Sequence, residues 1–225
     1  MSTETLRISW WGDSLVAAGE AYAPALDDPY GLPPVGTAIT VTEWRYRGFA
    51  HLVEVALRAR RPGTDVSGVN LAAGGATSGD VRARIEAGPV PAAEVAVLGC
   101  GTNDAWGWLT SGAEGAAVRA EYEQNLHRAV RALRKRSGTV VLLAPPPVGR
   151  LPGAAAMNDE LTRYAAICAT VARTNNTESV DARPRFLTVA GGQGSPSASP
   201  WRPDGVHLTD LGNHLVAEEL LRVIP

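Results

Sequence analysis

The sequence predicts an α/β protein: a parallel sheet of about five strands, covered on both faces by helices. Two observations predict it. Short apolar runs of the buried-strand type recur along the chain, and segments of helical pattern lie between them. Glycine-rich turns follow three of these runs, at 12–19, 73–79 and 99–107. They fall at the C-terminal strand ends, where open α/β sheets bind their ligands. A chain of 225 residues, 45% hydrophobic, suits one domain spanning 1–225.

The elements follow in order. LRISWWG (6–12) reads as the first strand, ending in a glycine turn. Residues 20–43, rich in Pro, Ala and acidic side chains, interrupt the alternation before a helix over 46–61. DVSGVNLA (65–72) is the second strand, with a helix over 79–87. VAVLGCG (95–101) is the third, with a helix over 114–137. TVVLLAPPP (139–147) is the fourth, with a helix over 155–174. ESVDARP (178–184) is a less apolar fifth candidate. A Gly/Ser/Pro loop over 187–203 then leads to a final helix over 210–222. Long loops in compact domains are usually functional or mobile, so 20–43 is expected to wall a binding site.

Composition excludes several classes. A net charge of −2 and a pI of about 6.1 do not make the basic footprint of a nucleic-acid binder. Lys135 is the only lysine, and the arginine excess reads as coding bias. Two cysteines, Cys100 and Cys168, are too few for a disulfide framework or a metal cluster, and are expected to be free. No leader and no apolar span of membrane length is visible, so a cytoplasmic protein with no membrane partner is the expectation. Gly99-Cys100-Gly101 lacks the third glycine and the later acidic residue of a dinucleotide site.

Four short motifs carry the chemistry. Gly12-Asp13-Ser14-Leu15 follows the first strand, where Ser14 is either a helix N-cap or an exposed nucleophile. Asn70-Leu-Ala-Ala-Gly74-Gly75-Ala-Thr77-Ser78-Gly79 follows the second, as a flexible turn or as a source of an exposed backbone N–H. Gly99-Cys-Gly101-Thr102-Asn103-Asp104 follows the third, where Asn103 either closes its own turn or offers its amide to a developing negative charge. Pro203-Asp204-Gly205-Val206-His207-Leu208 enters the last helix. Its Asp204 either caps that helix or orients the His207 ring, leaving the other ring nitrogen free.

The remaining chemical residues have plainer readings. His51, His127 and His214 lie in helical patterns, which leaves His207 as the candidate base. Asp13 is expected to hold the Ser14 turn by accepting backbone N–H bonds, with a direct chemical role as the alternative, and Asp104 has the same two readings. Cys100 reads as a buried thiol rather than a rival nucleophile. Trp10 and Trp11 must point to opposite sheet faces, so at most one of them meets a ligand. Trp11, Trp106, Trp108 and Trp201 are candidate substrate contacts, as flat apolar walls with one donor each, or else loop packing. Arg202 is either an exposed arginine or an anion contact. Trp44 stands apart from this group, at the mouth of the first long helix.

In this order and at these strand ends, the four motifs resemble the GDSL, or SGNH, family of serine hydrolases over essentially the whole chain. The resemblance implies the SGNH hydrolase fold, a flavodoxin-like three-layer α/β/α sandwich. It implies a Ser14–His207–Asp204 triad, with the Ser14 N–H, the Gly75 N–H and the Asn103 side chain as oxyanion hole. Gly75 is matched rather than Gly74 because the family glycine stands two residues before a threonine, here Thr77. Ala76 and Cys100 depart from the usual residues at their positions. The implied activity is a carboxylic ester hydrolase working through an acyl-enzyme on a small or medium soluble ester, such as an acylated sugar or secondary metabolite. No metal and no organic cofactor is required. The alternatives are an acyltransferase that passes the same acyl group to a metabolite alcohol or amine, and a silent binding module on the same fold.

Overall fold

A computed structural model describes residues 4–17, 48–191 and 199–225. The 20–43 segment and Trp44 lie outside the described residues. The elements run β1 (Glu4–Gly12), α1 (Ser14–Ala17), α2 (Phe49–Arg60), β2 (Thr64–Asn70), α3 (Ser78–Ala87), β3 (Ala93–Gly99), α4 (Thr102–Ser111), α5 (Gly115–Leu133), β4 (Ser137–Leu143), α6 (Ala154–Asn175), β5 (Glu178–Val180), α7 (Arg183–Gly191) and α8 (Asp210–Leu220).

The strands form one parallel sheet in the order β2-β1-β3-β4-β5. This is the flavodoxin-like order, and its direction reverses between β1 and β3. The motifs that follow β1 and β3 therefore open beside the crevice where such sheets hold their ligands. The inner strands read as continuous apolar runs because both of their faces are covered, as in the AEVAVLG of β3. The edge strands pay for their exposure in length or polarity: β5 has three residues, and TDVSGVN of β2 is largely exposed.

Alternation divides each inner strand between two cores. Ile8, Trp10, Val95, Val97, Val141 and Leu143 pack with α2, α7 and α8. Trp11, Ala96, Leu98, Val140 and Leu142 pack with α3, α5 and α6. Trp10 and Trp11 do point to opposite faces, but both are buried, at 0% and 4% exposure. The Trp10 indole N–H donates to Glu54 Oε1 at 2.9 Å and that of Trp11 to Ser9 Oγ at 3.1 Å. The expectation that Trp11 lines a ligand site is thus corrected: it is a core residue.

Two helices and two strands depart from expectation. The turn expected over 99–107 becomes helix from Thr102, because Ala105 and the half-buried Trp108 and Leu109 give TNDAWGWLTS a short inward stripe. That stripe is too brief to register as a period in the sequence. Trp106 and Trp108 are accordingly on a helix, not on a loop. The fifth strand stops at Val180, and Arg183 opens α7; Pro184 is tolerated in its first turn, where no N–H is needed. Residues 187–191 of the expected 187–203 loop belong to α7, whereas 192–198 lie outside the described residues. The fourth strand ends at Leu143, ahead of the prolines at 145–147, which cannot donate to a ladder.

Candidate active site

Ser14 opens α1 directly after β1. The end of β1 lies so close to β3 that a Cβ on Gly12 would fall 2.0 Å from the Gly99 carbonyl oxygen, so only glycine fits. Asp13, 2% exposed, accepts a hydrogen bond from the Leu15 N–H at 3.0 Å, as expected of the residue that holds the turn. Burial, aided by the nearby Asp104 charge and opposed by backbone N–H bonds, pushes its carboxyl up to about 7.

His207 reaches Ser14 from the far end of the chain. Its Nε2 lies 3.1 Å from Ser14 Oγ, and its Nδ1 lies 2.7 Å from Asp204 Oδ2. Asp204 Oδ1 accepts the N–H groups of Val206 and His207, at 2.8 and 2.9 Å. Burial works to raise the Asp204 carboxyl, but these N–H bonds and the His207 ring outweigh it and hold it below its ordinary value.

The loop carrying Asp204 and His207 is itself pinned. Trp201 and Leu208 form an antiparallel bridge, and the Arg202 N–H donates to the His207 carbonyl at 2.7 Å. Arg202 Nε donates to the Leu208 carbonyl at 3.0 Å, so its guanidinium serves this loop. The Trp201 indole donates to the Pro147 carbonyl at 2.6 Å, and its ring lies 5.6 Å from that of Phe186. These contacts make Trp201 a staple between the His207 loop and the segment after β4.

The second motif reaches the same place through hydrogen bonds to the β1 end. Asn70 Nδ2 donates to the Val16 carbonyl at 2.8 Å, and the Ala73 N–H to the Gly12 carbonyl at 3.0 Å. Gly75 then turns with φ 74°, a left-handed conformation that favours glycine. Asn103, in the first turn of α4, donates its side-chain amide to the Ala76 carbonyl at 2.9 Å. An amide carries two N–H donors, so one remains for a ligand.

A polar cluster that the sequence reading missed ties these two motifs to α5. Asp104 accepts the Ser78 N–H at 2.9 Å and the Ser78 hydroxyl at 2.5 Å. Ser78 Oγ in turn accepts from Asn125 Nδ2 at 3.0 Å. Burial raises the Asp104 carboxyl, and the Ser78 hydrogen bonds oppose it. Ser78 stood in the second motif without a role, and no sequence signal marked Asn125 out from other polar helix residues.

The other candidates lie elsewhere. His127 Nδ1 meets Asn175 Nδ2 at 2.8 Å, and His214 Nδ1 meets the Asp210 carbonyl at 2.9 Å, both on helices. His51 is on α2. Cys100 and Cys168 are free and buried, and burial raises both thiols, Cys168 to about 12. Trp106 is 45% exposed and Trp108 is half-buried on α4. Among the described residues, no group of three or more His, Cys, Asp or Glu is placed to hold a metal ion. None of the described helices is long and apolar enough to cross a membrane.

The model of the GDSL-like lipase/acylhydrolase family matches residues 11–215. No curated protein matches by sequence. Among solved structures, Axe2, an acetylxylan esterase from Geobacillus stearothermophilus, is similar at a TM-score of 0.74 and 21% identity, covering 99% of this chain and 95% of its own. Structures of catalytic mutants of Axe2, altered at a serine, an aspartate and a histidine three positions after that aspartate, match with TM-scores of 0.72 to 0.75. The acetyl xylan esterase AlAXEase is similar at 0.69 and 22% identity, covering 98% of this chain and all of its own.

Proposed function

The chain belongs to the GDSL-like lipase/acylhydrolase family and is an ester-cleaving hydrolase of that type, and from that premise we propose that it removes small acyl groups, acetyl above all, from a carbohydrate through an acyl-enzyme on Ser14. The observation that carries the proposal is the unbroken chain of short contacts Ser14–His207–Asp204, at 3.1 and 2.7 Å.

In this mechanism His207 Nε2 takes the Ser14 proton as Oγ attacks the ester carbonyl. Asp204 holds the tautomer with the proton on Nδ1 and stabilises the imidazolium that forms; its depressed pKa keeps it ionised. The oxyanion is received by the second N–H of Asn103, the Gly75 N–H and the Ser14 N–H, which, in the first turn of its helix, has no intrahelical acceptor. His207 then gives its proton to the leaving alkoxide. A water, deprotonated by the same ring, attacks the acyl-enzyme and releases the acid and Ser14. The hydrogen bond from the Asn103 amide to the Ala76 carbonyl supports this reading, because it orients that one donor before substrate arrives.

Two considerations support an acetylated carbohydrate. The similar folds belong to esterases whose names give acetyl xylan as substrate, and in Axe2 the altered aspartate and histidine have the spacing of Asp204 and His207. The test compares wild type with Ser14→Ala on acetylated xylosides and on chromogenic esters from acetyl to octanoyl, with fluorophosphonate labelling of the folded protein. Wild type should label at Ser14 and prefer acetyl, and the variant should do neither. A Ser14→Ala protein with near-full turnover would overturn the scheme. Transfer of the acyl group to an added acceptor in preference to water would make the protein an acyltransferase.

A further inference from the structure

Helix α4 starts at the candidate oxyanion donor and carries two features that the fold does not require. The first is Trp106. Its ring is 45% exposed, and among the described residues it is the only aromatic among the exposed large apolar side chains. Trp10, Trp11 and Trp201 donate their indole N–H groups to Glu54, Ser9 and the Pro147 carbonyl; among the described residues, Trp106 makes no such bond. The second is Gly107. Glycine inside a helix costs roughly 0.5–1 kcal/mol relative to alanine. Yet a Cβ at Gly107 would meet nothing within 4 Å, and its φ is not left-handed. Neither packing nor backbone conformation calls for glycine there.

Both features share a helix face with Asn103. Residues three and four apart on a helix are surface neighbours, with Cβ atoms about 5–6 Å apart. Long helical side chains lean back over the preceding turn, which for Trp106 is the turn of Asn103. The inward face of α4 is carried by Thr102 and Ala105, which are buried, so the outward stripe runs Asn103, Trp106, Gly107 and Thr110.

We propose that Trp106 and Gly107 form the sugar subsite of the ester-cleaving centre: the indole is a stacking platform for the pyranose ring that bears the acyl group, and the missing side chain at 107 leaves that ring room to lie flat. The inference rests on the reading of Ser14, Gly75 and Asn103 given above. An acyl carbonyl oxygen held by Asn103 has its alcohol oxygen two bonds away. The sugar carbon beyond it is then within one ring-width of the residue a turn along. The C–H face of a pyranose is apolar while its rim is polar, and an indole offers a matching flat wall and one edge donor. An acyclic alcohol of two carbons is too small to use the platform, which gives the test its control.

The experiment measures kcat and KM for an acetylated methyl xyloside and for ethyl acetate, with wild type, Trp106→Ala, Trp106→Phe and Gly107→Val. Trp106→Ala should lower kcat/KM on the xyloside about tenfold, mainly through KM, the size expected for one lost ring contact. It should leave ethyl acetate within about twofold, since that ester does not reach the ring. Trp106→Phe should recover most of the loss, and Gly107→Val should mimic it. Equal effects on both esters, or none on either, would overturn the platform while leaving the esterase reading intact. A wild type that cleaves ethyl acetate through Ser14 but not the xyloside would overturn the carbohydrate reading, and the platform with it.

Discussion

The side-chain amide of Asn103 donates to the carbonyl oxygen of Ala76 at 2.9 Å, so one hydrogen bond holds the loop after β3 against the loop after β2. The bond uses only the backbone of residue 76, so it does not depend on the side chain there. It engages one of the two Asn103 side-chain N–H groups, and the proposed mechanism uses the other. Asn103→Ala should therefore lower kcat by about 10²–10³-fold with little change in KM, as loss of a transition-state donor does. Steady-state kinetics on a chromogenic acetate measure it. A kcat within about threefold of wild type would reduce Asn103 to a turn residue.

Asp13 makes a pH prediction whose sign follows from its burial. Its carboxyl is pushed up to about 7 from an ordinary 3.8, chiefly by burial, with the Leu15 N–H bond opposing. An acid whose folded value lies above its unfolded value binds more protons when folded. The stability it contributes is fully present below the unfolded value, near pH 4, and is lost as the pH rises through about 7. Asp13→Asn keeps an oxygen for the Leu15 N–H but cannot ionise. Relative to wild type at pH 4, the variant should gain up to about 3–4 kcal/mol by pH 8. Urea unfolding across that range tests it, and parallel curves for the two proteins would contradict a raised Asp13.

The legible and illegible parts of the molecule differ in sequence range. The Ser14 turn, the Gly75 turn and the Asp204–His207 pair are local: each is set by a few consecutive residues at a strand end or helix entrance, and each could be read as written. The opposite orientation of Trp10 and Trp11 was legible too, because it follows from strand geometry. Their burial was not, since it depends on Phe49 and Glu54 of α2 and on the packing of α3 and α5. Trp201 was ambiguous for the same reason: its partner Pro147 is 54 residues away. Helix α4 escaped notice because its inward stripe is too short to register as a period.

Ser78 belongs to that long-range class, 26 residues from Asp104 and 47 from Asn125. Its hydroxyl donates to one and accepts from the other, at 2% exposure. Ser78→Ala leaves Asn125 without an acceptor and removes one of the hydrogen bonds to Asp104. The expected cost is about 1–3 kcal/mol of stability, the penalty for stranding buried polar groups. Because Asp104 follows Asn103, kcat should fall as well. Ser78→Thr, which keeps the hydroxyl, should restore part of both. Urea midpoints and kcat for the two variants check this, and loss of stability with an unchanged kcat would separate the cluster from the active site.

Trp201 distinguishes a staple from a substrate wall. Its indole N–H is taken by the Pro147 carbonyl at 2.6 Å, and its ring faces Phe186. A side chain so engaged fastens the His207 loop through the bridge to Leu208, and under the proposed mechanism it is a positioning residue. Trp201→Phe keeps a ring but deletes the donor and strands the Pro147 carbonyl. Stability should fall by about 1 kcal/mol, the usual worth of one hydrogen bond. Looser placement of His207 should lower kcat by a similar factor for every ester tried. KM should keep its order across alcohols of different size, because no substrate contact has been removed. A KM change confined to one alcohol would instead place the indole against the substrate, and a melting curve of wild type beside the variant would then show little loss.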